Sequence, residues 1–223
     1  MNNYPKLFNF KSLPKQNYFA PEWNYYIAED MIKNINFKSL SKFLLRKEKE
    51  ILKITKPVNS KSPDGYTGLG KNSITSRYSL FNVINFKNKE IIKIKKEILN
   101  IHDKLLNNLK IKIPKNLWIQ CWFNVMRKGQ SIKPHIHGVT PNTYLGGHIC
   151  VQVENTHTNY INPVNQINDS EIYYSKNEVG KITLFQNCIP HFTDVHNSEK
   201  ERITIAFDLS VQKEKPNINY IKI

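Results

Sequence analysis

The amino-acid sequence predicts a mainly β protein with flanking α, an antiparallel sandwich or barrel with N-terminal helices packed outside it. Two observations carry this reading. Apolar residues recur at helical intervals up to Pro114 and at two-residue intervals after it. Beyond Pro114, short β-branched segments follow one another with no helical segment between them. The length of 223 residues suits one structural domain overall. Within it, residues 1–114 read as an N-terminal helical elaboration with a Gly-rich loop, and residues 115–223 as the β core.

Residues 29–54 place apolar side chains at helical spacing between Pro21 and Pro57. Residues 88–110 do so more clearly, with Ile91, Ile94, Ile98, Ile101, Leu105 and Leu109 in one stripe. Between them lies DGYTGLG (64–70), followed by a β-prone stretch. No Gly-Lys-Ser/Thr follows these glycines at the spacing of a phosphate-binding loop, so a turn or an active-site flap is expected there. LWIQCWFNVM (117–126) then alternates, with Trp122 and Asn124 on one face and Cys121 and Phe123 on the other. GGHICVQVEN, EIYYS, KITLFQN and ERITIAFDLSV are the later strands, separated by Asn, Gly, Pro and Ser.

Composition narrows the function classes. With 39% hydrophobic and 11% aromatic residues the chain has the make-up of a soluble globular protein. The opening MNNYPKLFNFKSLPKQ lacks the apolar run of a leader or membrane span. Cys121, Cys150 and Cys188 are odd in number and far apart, which argues against a disulfide framework. A cytoplasmic, reducing location is therefore expected, with no membrane partner. The formal charge of +15 invites a nucleic-acid reading. However, 29 of the 33 cations are Lys, and bidentate recognition of phosphates and bases favours Arg. Residues 1–114 carry net +13 and residues 115–223 only +2. Nucleic acid is thus the less favoured partner, and a solvated lysine-rich helical surface accounts for the charge.

Of the seven histidines, three fall within residues 135–148. His135 and His137 are two apart, so on an extended segment both rings point to one side. Neutral imidazole is a common ligand of first-row transition metals. A third ligand would come from elsewhere in the sheet, and His191, in KITLFQNCIPHFTD, is the best candidate.

From these residues onward, about 116–210, the chain resembles the 2-oxoglutarate/Fe(II)-dependent oxygenases, in particular their prolyl-hydroxylase-like branch. The resemblance implies a double-stranded β-helix, jelly-roll and cupin-like, over residues 115–211. It implies Fe(II), 2-oxoglutarate as cosubstrate, and O2, with hydroxylation as the outcome. It maps a first metal ligand onto His135, the distal ligand onto His191, and the carboxylate-binding base onto Arg202, with Thr204 two residues on. In those enzymes a carboxylate usually stands where this sequence has His137. His137 is then a third ligand in its place, or a residue behind the ligands. His148 would face cosubstrate or substrate, and Trp122 and Asn124 would share the strand face leading into the site. A prolyl-hydroxylase-like relative favours a peptide or protein side chain as substrate, closely followed by a small metabolite.

Two other readings stay open. GQSIKPHIH also fits the opening of a cupin motif, G-x5-H-x-H, although the glutamate that follows in cupins is absent and a cupin has no use for Arg202. A jelly-roll binding module without catalysis is the other. His102, His157 and His196 read as ordinary polar residues.

Overall fold

The computed structural model describes residues 5–12, 14–138, 143–164, 170–212 and 219–223. Among these residues, ten strands and two α-helices follow one another as β1 (Lys6–Lys11), β2 (Asn24–Met31), α1 (Phe37–Ile54), α2 (Lys89–Asn108), β3 (Trp118–Met126), β4 (Thr143–Gln152), β5 (His157–Ile161), β6 (Ile172–Lys176), β7 (Lys181–Gln186), β8 (His191–Thr193), β9 (Arg202–Ser210) and β10 (Ile221–Lys222). The strands form a seven-stranded sheet in the order β1-β2-β7-β4-β9-β3-β10 and a three-stranded sheet in the order β6-β5-β8, with antiparallel pairing throughout. This is the expected double-stranded β-helix with helices outside it.

Both helices form where the periodicity puts them. In α2, Ile91, Ile94, Ile98, Ile101 and Leu105 are all essentially inaccessible. The Asn88 side chain caps its start by accepting from the Glu90 N–H. Lys110, at φ 57°, ends it, and Ile111 N–H returns to the Leu106 carbonyl. Helix α1 buries Leu40, Leu44 and Ile51, with Asn36 as its cap. Among the described residues, neither helix is long and apolar enough to cross a membrane.

Three expectations need correction. The helical reading of residues 29–54 starts too early, because Glu29–Met31 pair with Lys181–Thr183 and the helix waits for the Asn36 cap. Consequently the N-terminal 114 residues are not purely helical: β1 and β2 extend the large sheet beside β7. The β-prone stretch after the Gly-rich loop is made of two 3₁₀ turns, Ile74–Arg77 and Val83–Asn85. Ser73 and Asn82 cap them, and those local side-chain bonds outcompete strand pairing.

The two faces of the large sheet have different chemistry. One carries Ile119, Cys121, Phe123, Val125, Ile203, Ile205, Phe207 and Leu209, which join the helices in the main core. The other follows from register. Gly146 lies opposite Phe185 and Asp208, His148 opposite Thr183 and Ala206, Cys150 opposite Thr204, and Met126 opposite Arg202. This second, polar-rich face looks onto the small sheet and forms the floor of the site.

Candidate metal centre

The tandem Gly146-Gly147 in β4 sets how closely groups approach on each side of the sheet. A Cβ on Gly147 would lie 2.3 Å from the Phe207 ring and 2.6 Å from the Thr183 carbonyl oxygen. A Cβ on Gly146 would lie 2.8 Å from His137 Nδ1 and 2.8 Å from Asn187 Oδ1. Glycine on one side admits a core phenyl ring, and on the other it admits an imidazole.

His135 and His137 lie in an extended segment beside β8 rather than in a continuous strand. His135 and His191 exchange backbone hydrogen bonds of 3.1 and 3.0 Å, Thr193 N–H reaches the Ile132 carbonyl at 3.0 Å, and His137 N–H reaches the Asn187 carbonyl at 3.2 Å. His135 and His191 form an isolated bridge, because the flanking bonds to the Ile132 and Asn187 carbonyls are out of ladder register. That bridge is sufficient to bring the rings together. Ring centroids are 4.4 Å apart for His135 and His191, 5.0 Å for His137 and His191, and 5.7 Å for His135 and His137. One ligand-type nitrogen from each residue lies within 4.8 Å of those of the other two.

Each Nδ1 is held by an acceptor: the Lys133 carbonyl for His135 (2.9 Å), Asp208 Oδ1 for His137 (2.5 Å) and the Ile189 carbonyl for His191 (3.1 Å). A backbone carbonyl can only accept, so Nδ1 of His135 and of His191 carries the proton, and an ionised Asp208 accepts from His137 Nδ1 in the same way, which leaves the Nε2 lone pairs as donors to a metal. Burial, reinforced by the neighbouring imidazoles, lowers His135 to about 4 and His191 well below the usual histidine range. Three imidazoles with their Nδ1 atoms tied back fit a first-row divalent cation.

The pocket continues inward from this cluster. All eight side chains singled out in the sequence line it: Trp122, Asn124, His135, His137, His148, His191, Arg202 and Thr204. Arg202 is 2% exposed, and its Nη1 has only Met126 Sδ at 3.5 Å. Among the described residues its Nε has no hydrogen-bond partner, and neither has His148 Nε2. Burial lowers the Arg202 pKa, and it lowers His148 to about 3 with the Arg202 charge adding to the effect. A buried guanidinium without a carboxylate, beside the Thr204 hydroxyl, fits an anionic ligand. Asn124 Oδ1 accepts from Thr75 Oγ1 at 2.8 Å, and the Trp122 ring stands 5.5 Å from that of His137.

Sequence reasoning missed several lining residues. Asp208 was legible in principle, since alternation puts it on the face of Arg202, Thr204 and Ala206. Asp64, Gly65 and Thr67 of the Gly-rich segment form part of the wall, and Lys133 N–H bonds the Thr67 carbonyl at 2.8 Å. That contact joins loop and histidine segment, and no sequence pattern announces it. His102, His157 and His196 lie away from the pocket. His102 bridges Asp103 and Tyr144, and His157 pairs with Asp194.

Comparison with known proteins agrees with this geometry. Residues 120–208 match the family model described as "Putative 2OG-Fe(II) oxygenase". No curated protein sequence matches the chain. Among solved structures, a Pseudomonas putida prolyl-4-hydroxylase superposes with a TM-score of 0.56 at 8% identity, covering 84% of this chain and 93% of that one. A prolyl hydroxylase from Trichoplax adhaerens, in complex with a hypoxia-inducible factor peptide fragment, superposes with a TM-score of 0.52 at 12% identity, covering 82% and 83%. At these identities the structural likeness is one of fold.

Proposed function

We propose, from the match of residues 120–208 to the 2OG-Fe(II) oxygenase family model, that this chain is an oxygenase of that kind and hydroxylates a peptide side chain or a small molecule at the histidine cluster. One observation carries the reading. Three imidazoles with their Nδ1 atoms tied back stand at one end of a pocket that also holds a buried, unpaired arginine. A metal and a dicarboxylate are the ligands whose chemistry answers those two features.

In this proposal His135, His137 and His191 hold Fe(II) through Nε2. Arg202 and Thr204 grip the distal carboxylate of 2-oxoglutarate, two residues apart on one face of β9. Iron and 2-oxoglutarate, when bound, supply the oxidising chemistry, with O2 consumed and succinate and CO2 released. The chain's own part is to orient and to exclude water. Phe185, 4.6 Å from the His191 ring, and Tyr160, 5.8 Å from it, wall the cluster with apolar surface. His148 Nε2 is a further donor available to a carboxylate, and Trp122 and Asn124 border the path to substrate.

A peptide substrate draws support from the peptide-bound Trichoplax relative, and a small molecule is equally compatible with a pocket walled by residues 64–67. The cupin reading is disfavoured by the arginine, which a cosubstrate-free enzyme would have no reason to bury unpaired. The test is succinate release by the purified chain with Fe(II), 2-oxoglutarate and pools of peptides and metabolites. Turnover that His191→Ala abolishes supports the reading. Absence of any 2-oxoglutarate binding by wild type, followed anaerobically by the metal-to-ligand absorption band, refutes it.

A further inference from the structure

The three histidines are not held alike. His135 and His191 lean on backbone carbonyls, which are neutral and fixed by the pairing of their own segments. His137 alone leans on a side chain, and a carboxylate: Asp208 Oδ1 lies 2.5 Å from its Nδ1. The contact is built from several elements. Asp208 stands on β9 opposite Gly146 of β4, and Gly146 has no Cβ where His137 Nδ1 passes. The Asp208 side chain is 14% exposed, and among the described residues its only ion-pair partner is this imidazole.

We infer that Asp208 is a positioning residue for the metal site, acting through His137. It fixes the ring with Nδ1–H toward β9 and Nε2 toward His135 and His191. It also places a carboxylate one hydrogen bond behind a ligand set made only of imidazoles. This rests on the proposal that the three histidines bind metal, and it assigns to this chain a carboxylate that works through a ligand rather than as one. Carboxylates behind ligating imidazoles raise ligand basicity and hold ring orientation, and their loss costs about 10- to 100-fold in metal affinity.

The test uses Co(II) as a spectroscopic probe on the full-length, metal-free chain. Asp208→Ala should bind Co(II) roughly 10- to 100-fold more weakly than wild type while keeping the circular dichroism of the fold. In a double-mutant cycle, Asp208→Ala should add no further loss once His137 is alanine, because its effect runs through that ring. Nitrogen-15 spectra of the metal-free wild type should show the His137 proton on Nδ1, and those of Asp208→Ala a mixture of tautomers. Should the alanine variant not fold, Asp208→Asn carries the test. A neutral acceptor makes a hydrogen bond roughly half as strong, so a loss of about threefold or more is expected. Affinity within twofold of wild type in the folded variant, or additive losses in the cycle, overturns the role of Asp208 and leaves the metal site standing. Failure of wild type itself to bind Co(II) overturns the metal site and this inference together.

Discussion

Replacing Arg202 by methionine should have opposite consequences in the presence and absence of 2-oxoglutarate. The guanidinium is almost wholly buried, with a thioether sulfur as its one neighbour for Nη1 and nothing for Nε. A buried ion costs several kcal/mol in desolvation, and a well-packed apolar replacement of similar length is neutral or stabilising by about 1–4 kcal/mol. The ligand-free variant should therefore melt at or above the wild-type temperature. With metal and cosubstrate the order reverses. Losing the charge partner of a desolvated carboxylate costs on the order of 2–5 kcal/mol, or roughly 30- to 4000-fold in affinity. At a 2-oxoglutarate concentration of about 100 times the wild-type Kd, wild type gains about 2.7 kcal/mol by linkage. For a chain of this length that is an upward shift of about 5–11 °C, and the variant should keep at most about a third of it. The assay is anaerobic thermal melting of both proteins loaded with Fe(II), with and without 2-oxoglutarate. A variant that is clearly less stable without ligand yet shifts as wild type does would show that Arg202 serves the core and not a carboxylate.

Other substitutions probe the scaffold around the site. Gly146→Ala should weaken Co(II) binding with only a modest loss of stability, about 1–3 kcal/mol, because its Cβ meets the far ends of His137 and Asn187 side chains; equilibrium titration and urea melts separate the two effects. Gly147→Ala should cost more, since its Cβ meets the Thr183 backbone as well as Phe207, and the soluble yield of folded protein reports it. His148, held near 3 by burial against an unfolded value of 6.5, stays neutral in the fold at mildly acid pH. Its contribution is present above about pH 6.5 and is lost as pH falls toward 3, because the unfolded state binds the proton first. From pH 7 to 5 this amounts to about 2 kcal/mol, and His148→Leu should flatten that part of the urea-melt profile. Arg127→Met should destabilise by about 1–3 kcal/mol through the buried Glu48 it leaves unpaired, discounted for the half-exposed arginine, with no change in Co(II) affinity.

The sequence made the site more legible than the fold around it. His135 and His137 are separated by one residue, and Arg202 and Thr204 likewise, so extended backbone alone puts each pair on one side. The β2 strand was hidden because NYYIAEDM carries two adjacent acids before Met31 and runs toward a helical pattern, and pairing with β1 and β7 decides its state. Asp208 was hidden for another reason. A lone acid in ITIAFDLS looks like a solvent-facing residue until β4 and His137 are packed against it. Such contacts bring together positions 71 residues apart, and local periodicity carries no information about them.

What distinguishes this pocket from an ordinary core is the direction in which its energetic costs run. A core satisfies its buried polar groups, as happens between the two sheets where Lys181 of β7 reaches Glu29 of β2 at 3.2 Å and Ser175 of β6 at 2.7 Å. On the same face, Arg202 Nε and His148 Nε2 have no hydrogen-bond partner among the described residues. Each such group is costly to leave desolvated, on the order of 1–3 kcal/mol, and Arg202 and His148 both line the same cavity. The stability to hold them comes from the opposite face, where Phe207 packs into the space left by Gly147 and the isoleucine stripe of α2 lies against the sheet. The two faces are coupled through β4 and β9, whose alternate residues serve core and site in turn. Tight packing on one side therefore keeps unsatisfied donors from relaxing on the other, and a dianion entering past the histidines meets groups already aimed at it.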